Sequence, residues 1–124
     1  MAPPESVPRI QESDELAEVA TLADKKGQCV LLQVGSERCK QCPAFTQAVT
    51  ELAEIYEFQW VYCDVDDGGD IPETHAITGL PAVVIVRAGK SEIAHRLQPE
   101  ELRTMVRDLC APKELSLNFF SNDF

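Results

Sequence analysis

Cys29-Val30-Leu31-Leu32-Gln33-Val34-Gly35, followed by Cys39-Lys40-Gln41-Cys42, is the stretch on which the fold turns. Its first half is an apolar run of strand length, and near-continuous apolar character suits a strand covered on both faces. Beyond the second cysteine, Phe45, Val49, Leu52, Ala53 and Tyr56 recur at helical spacing in a segment without glycine. A C-x-x-C pair between a buried strand and a helix start is the layout of a dithiol redox site. Two thiols so spaced can close into a disulfide, and the backbone N–H groups of a helix N-terminus favour the thiolate of the first. The cations Arg38 and Lys40 favour it too, while Glu37 opposes them. Together they predict a Cys39 thiol more acidic than the roughly 8.5 of a free one.

Upstream, Val7 to Ile10 has the makings of a short edge strand weakened by Pro8. Ser13 or Asp14 is placed to cap a helix carrying Leu16, Val19, Ala20 and Ala23 on one face, with Gly27 as its terminator. Downstream, the helix after the cysteines is expected to end near Glu57, and Gln59 to Val65 reads as a strand. An acidic, glycine-containing loop (66–70) leads to a short helix from Pro72 to about Ile77. Ala82 to Arg87 is a further strand, and Ala88-Gly89-Lys90 a tight turn into Ser91 to Arg96. Pro99 opens a last helix with the stripe Leu102, Met105, Val106 and Leu109, which Pro112 stops. Alternating strands and helices predict an α/β fold: a central, largely parallel sheet of four to five strands with an antiparallel edge, flanked by helices on both faces.

Length and composition bound the rest. At 124 residues the chain fits one domain, read as 1–112 with a C-terminal tail at 113–124. A formal net charge of −10 argues against nucleic acid or anionic lipid as the main partner. No apolar run approaches the roughly 18 residues of a membrane span, so no membrane association is expected. Met1 to Ile10 lacks a basic region followed by an apolar one, which is not a secretory signal, and the protein is expected in the cytoplasm. There a disulfide framework does not persist, so Cys29, Cys63 and Cys110 are read as small buried side chains. Asp64, Asp66, Asp67 and Asp70 lack the spacing of an EF-hand and read as a solvated turn. His75 and His95 have no plausible co-ligand nearby, and one C-x-x-C supplies too few ligands for zinc or a cluster. No metal or other cofactor is expected. Leu115, Leu117, Phe119, Phe120 and Phe124 give the tail an apolar character suited to packing over the last helix or to a partner or dimer contact.

Three features in this order resemble the thioredoxin family over roughly Gln28 to Leu109: Cys39-Lys40-Gln41-Cys42 after a strand, Thr78-Gly79-Leu80-Pro81 before the next, and the Val86 to Lys90 hairpin. The resemblance implies a thioredoxin fold and thiol–disulfide exchange, with Cys39 as nucleophile and Cys42 as resolving thiol. It implies that Pro81 is the family's cis-proline, and that Gly79, Leu80 and Pro81 form the client-binding turn, the backbone at Leu80 pairing with an extended client. Arg38 and Gly35 stand near positions where the family carries tryptophan, and Lys40-Gln41 replaces glycine-proline. Gln33 takes the place of a buried acid, and Tyr62 that of its lysine partner. Losing both charges together fits the cost of burying one alone. The implied partners are protein clients with disulfides and, as electron donor, a reductase or glutathione, for a monomer or weak dimer. The competing reading is a redox-inactive or weakly active interaction module on the same fold.

Overall fold

A computed structural model describes residues 3–113. Elements run in the order α1 (Ser13–Lys25), β1 (Cys29–Gly35), α2 (Cys42–Ile55), β2 (Tyr56–Asp64), α3 (Ile71–Thr74), β3 (Ala82–Arg87), β4 (Lys90–Ala94), α4 (Pro99–Leu109) and β5 (Ala111–Pro112). The strands form one five-stranded mixed sheet in the order β4-β3-β1-β2-β5. The aromatic tail lies outside the described residues, apart from Lys113, whose N–H reaches the Ile55 carbonyl at 2.7 Å.

β1 is central and buried along its whole length. Side chains alternate across a strand, so each face of β1 needs its own cover. Cys29 and Leu31 pack with Phe45, Val49 and Leu52 of α2 and with Leu102 and Val106 of α4. Val30, Leu32 and Val34 pack on the other face with Leu16 and Ala23 of α1 and with Ile71 at the start of α3. This double cover is why the strand reads as continuous apolar sequence.

The sheet is less parallel than its sequence suggests. Among the described strands β1 and β2 pair in parallel, while β3 is antiparallel to β1, β4 to β3 and β5 to β2. The four-residue α3 rises about 6 Å, too little to carry the chain back along the sheet. β3 therefore starts at the edge where β2 ends. Its turn into β4 has Ala88 at φ 52° and Gly89 at φ 78°, the positive angles a two-residue hairpin needs.

Other boundaries move for local reasons. Neither Ser13 nor Asp14 caps α1: Glu12 does, in a reciprocal pair with Glu15. α2 stops at Ile55 rather than near Glu57, because Tyr56 and Glu57 pair with Pro112 and Ala111. α4 likewise ends at Leu109, before Pro112, which sits in the edge strand β5 where a missing N–H is tolerated. α3 covers Ile71–Thr74 instead of reaching Ile77, and β4 stops at Ala94 instead of Arg96. The expected N-terminal strand reduces to one bridge, Arg9 beside Tyr62, with Ile10 N–H on the Tyr62 carbonyl and Tyr62 N–H on the Pro8 carbonyl. Pro8 has no N–H with which to extend it.

Candidate active site

β1 ends at Gly35, and the chain turns through Ser36 to Gln41 before α2 begins at Cys42. Backbone hydrogen bonds from Cys39 N–H to Ser36 O (3.1 Å) and from Cys42 N–H to Cys39 O (3.2 Å) hold that turn. Gln41 is the N-cap and Pro43 lies in the first helical turn, where its missing N–H costs nothing. Cys39 and Cys42 are joined as a disulfide with their Cα atoms 5.3 Å apart. Cys39 is half-buried and Cys42 buried, so one sulfur faces outward and the other lies beneath it.

A cleft of about 510 Å³ opens over Cys39, walled by Arg38, Lys40, Gln41 and Leu80 together with Ser36 and Val65. The Leu80–Pro81 bond is cis, and Pro81 is buried behind Leu80 with its carbonyl accepting Leu97 N–H at 3.1 Å. Gly79 stands away from the cleft wall. A Cβ there would fall 2.7 Å from Cγ of Arg96, so the absent side chain makes room for that arginine.

Gln33 does not line the cleft either. It is buried one strand residue pair below, where its Oε1 accepts Trp60 Nε1–H at 3.0 Å and its Nε2 donates to Thr46 Oγ1 at 2.8 Å. The amide supplies one acceptor and one donor to partners that need each, which a carboxylate could not do. Tyr62 is the register partner of Gln33 on β2. Its hydroxyl and the Cys42 sulfur would each lie 3.2 Å from a Cβ on Gly35, so the glycine leaves space in which both side chains converge and a larger residue has no room. Burial, reinforced by the charge of Asp64, pushes the Tyr62 hydroxyl up to about 12, keeping it a neutral neighbour of the dithiol.

The acidic loop is more than a solvated turn. Asp66 accepts the Ser36 hydroxyl at 2.7 Å and pairs with Arg38 Nη2 at 2.6 Å, and those two partners hold its carboxyl below the usual range. Asp64 is buried, accepts the Asp66 N–H at 2.8 Å and pairs with Arg9 at 3.2 Å. Asp70 accepts Ser13 N–H at 2.6 Å. The loop thus ties the cysteine turn and the N-terminal segment to the end of β2. Arg38 lines the cleft but is paired with Asp66, and among the described residues Lys40 is the cation on the cleft wall with no ion pair. The sequence reading left Asp66 in a solvated turn and passed over Ser36. The available signal was that neighbouring parallel strands bring their C-terminal ends to one edge.

Among the described residues, no group of His, Cys, Asp and Glu is arranged to hold a metal ion. His75 Nδ1 lies 3.2 Å from the Ile71 carbonyl and His95 Nε2 3.1 Å from that of Ala76. No helix among the described residues is long and apolar enough to cross a membrane.

The family model for thioredoxin matches residues 13–109, which span every element from α1 to α4. The chain belongs to the thioredoxin family. The solved structure of Fasciola hepatica thioredoxin superposes at a TM-score of 0.73 and 17% identity, over 83% of this chain and 99% of that one. Mitochondrial thioredoxin 3 from Saccharomyces cerevisiae, in its oxidized form, gives 0.68 at 21% identity over 84% and 96%. A mutant thioredoxin from Halobacterium salinarum gives 0.71 at 23% identity over 88% and 95%. At these identities the likeness is one of thioredoxin fold. No curated protein sequence is similar enough to count as a match.

Proposed function

We propose that the chain is a thiol–disulfide oxidoreductase that reduces or exchanges disulfides in protein clients through Cys39 and Cys42. The observation that carries this reading is the half-buried Cys39, bonded to buried Cys42, at the floor of a cleft rimmed by Leu80. Starting from the dithiol, the Cys39 thiolate attacks one sulfur of a client disulfide and the client's other sulfur leaves as thiolate. Cys42 then gives up its proton and attacks the Cys39 sulfur of the mixed disulfide, expelling the second client thiolate. The client gains two electrons and the protein becomes the Cys39–Cys42 disulfide. A reductase or glutathione then returns it to the dithiol.

Lys40 and the start of α2 favour the Cys39 thiolate, Gln41 stands at the N-cap position of that helix, and Leu80 offers its backbone to the client strand. Gly79 and Pro81 shape that turn from behind, and Gln33 and Arg38 act by fixing the core and the loop beneath. We place the protein in the cytoplasm as a monomer or weak dimer, a single domain over 1–112.

Reduction of insulin disulfides with dithiothreitol as donor tests the reading. Wild type should accelerate insulin precipitation, Cys39→Ser should lose the acceleration, and Cys42→Ser should accumulate a mixed disulfide at Cys39. An unaltered rate in Cys39→Ser would leave the interaction module as the better description.

A further inference from the structure

At the opposite end of β1 from the candidate active site stands another pair of thiols. Cys29 opens β1 and Cys110 follows α4, and their sulfurs lie 2.7 Å apart, although the residues are 81 positions apart in the chain. Cys29 and Gly35 are the two ends of the seven-residue β1, about 20 Å of strand apart, so this pair is physically separate from Cys39 and Cys42. Both side chains are shielded, at 4% and 6% exposure, yet a cleft of about 160 Å³ opens on them between Arg87, Glu57 and Asp108. A cleft of that size admits a small uncharged molecule and excludes a peptide. Contact between the thiols, a donor cation in the wall and a narrow entrance are the ingredients of a dithiol that a small oxidant can close.

We propose that Cys29 and Cys110 form a second dithiol, which hydrogen peroxide oxidises to a buried disulfide latching the end of α4 to the start of β1. The two sulfurs lie within hydrogen-bond distance and either can donate; a bond donated by Cys110 S–H holds the Cys29 thiol below its ordinary value, so Cys29 is taken as the first to react. The Cys29 thiolate attacks one peroxide oxygen, the O–O bond breaks, and hydroxide leaves, giving a sulfenic acid. Cys110 then attacks the Cys29 sulfur, the S–O bond breaks, and the departing hydroxide takes up a proton as water. In sum, two thiols and one hydrogen peroxide give one disulfide and two waters. The latch closes the chain between the central strand and the last helix, so it stiffens the body of the domain and leaves the client cleft open. A dithiol reductant reverses it.

The test is a thiol count on the full chain. Wild type and a Cys39→Ser/Cys42→Ser variant are treated with stoichiometric hydrogen peroxide, denatured in alkylating agent and mapped by mass without reduction. In the variant three cysteines remain, at 29, 63 and 110. The expected result is loss of two alkylatable thiols, one Cys29–Cys110 cross-linked peptide, an alkylated Cys63 and a raised thermal midpoint, all reversed by dithiothreitol. Adding Cys110→Ala should leave Cys29 as a sulfenic acid that dimedone traps. Full alkylation of all three after peroxide, or a cross-link through Cys63 or between chains, would overturn the proposal. The wild-type map decides it even where a variant folds poorly.

Discussion

Gln33 shows how one residue exchange is absorbed by its neighbours. The amide sits between the Trp60 N–H and the Thr46 hydroxyl in the core beneath the dithiol, satisfied on both sides. Gln33→Leu would leave the buried Thr46 hydroxyl and the half-buried Trp60 N–H without this partner, at a cost of about 1–3 kcal/mol. Urea denaturation should report that loss, and a change within about 0.5 kcal/mol would mean that water replaces the amide. Tyr62 makes a complementary prediction about pH. Its hydroxyl is raised to about 12 in the fold, against about 10 when unfolded, so between these values the unfolded chain has lost a proton that the folded one keeps. Stability contributed by this group is intact below pH about 10 and falls as pH rises toward 12, by up to about 2–3 kcal/mol. Cys63, raised to about 11 by burial, adds a fall of the same sign that begins lower. Tyr62→Phe should therefore flatten the alkaline decline in the urea midpoint, and an unchanged decline would assign it to other groups. The identity of Gln33 was legible from the sequence. Its partners were not, because Trp60 arrives from the next strand and Thr46 from the next helix.

Among the elements, the acidic loop after β2 acts on the site through Asp66. Asp66 holds the cysteine turn through Ser36 and at the same time neutralises Arg38. Asp66→Asn keeps a polar side chain but frees the guanidinium, so the field at Cys39 becomes more positive. In a Cys42→Ser background, Cys39 should then be alkylated by iodoacetamide roughly two- to threefold faster at neutral pH, since the thiolate is the reacting form. A slower or unchanged rate would show that Asp66 acts on the site only through the shape of the turn. The helices and β1 were readable because their periodicity is local. The ends of α2 and α4 were not, because the pairing of Tyr56 and Glu57 with Pro112 and Ala111 joins segments remote in sequence. The direction of β3 was hidden for a related reason: it depends on how far α3 carries the chain, and one helical turn leaves little periodicity to read.

For the whole molecule, the sheet order puts the two kinds of cysteine to different uses. Parallel β1 and β2 deliver the cysteine turn and the acidic loop to one end of the sheet, where Leu80 also lines the cleft. The opposite end of the sheet gathers Cys29 and Cys110. Fold family and the C-x-x-C pair were plain in the sequence because short motifs encode them, while the second thiol pair depends on the closed tertiary structure. A net charge of −10 disfavours a polyanionic partner. The claim on which the rest depends is that Cys39 and Cys42 cycle as one two-electron couple. Equilibration in glutathione buffers, followed by acid quench, alkylation and mass mapping, measures it directly. With Lys40-Gln41 between the cysteines, both thiols should titrate together at a midpoint modestly above about −270 mV. Thiols that titrate separately, or a pair that stays in one state across the whole glutathione range, would contradict it.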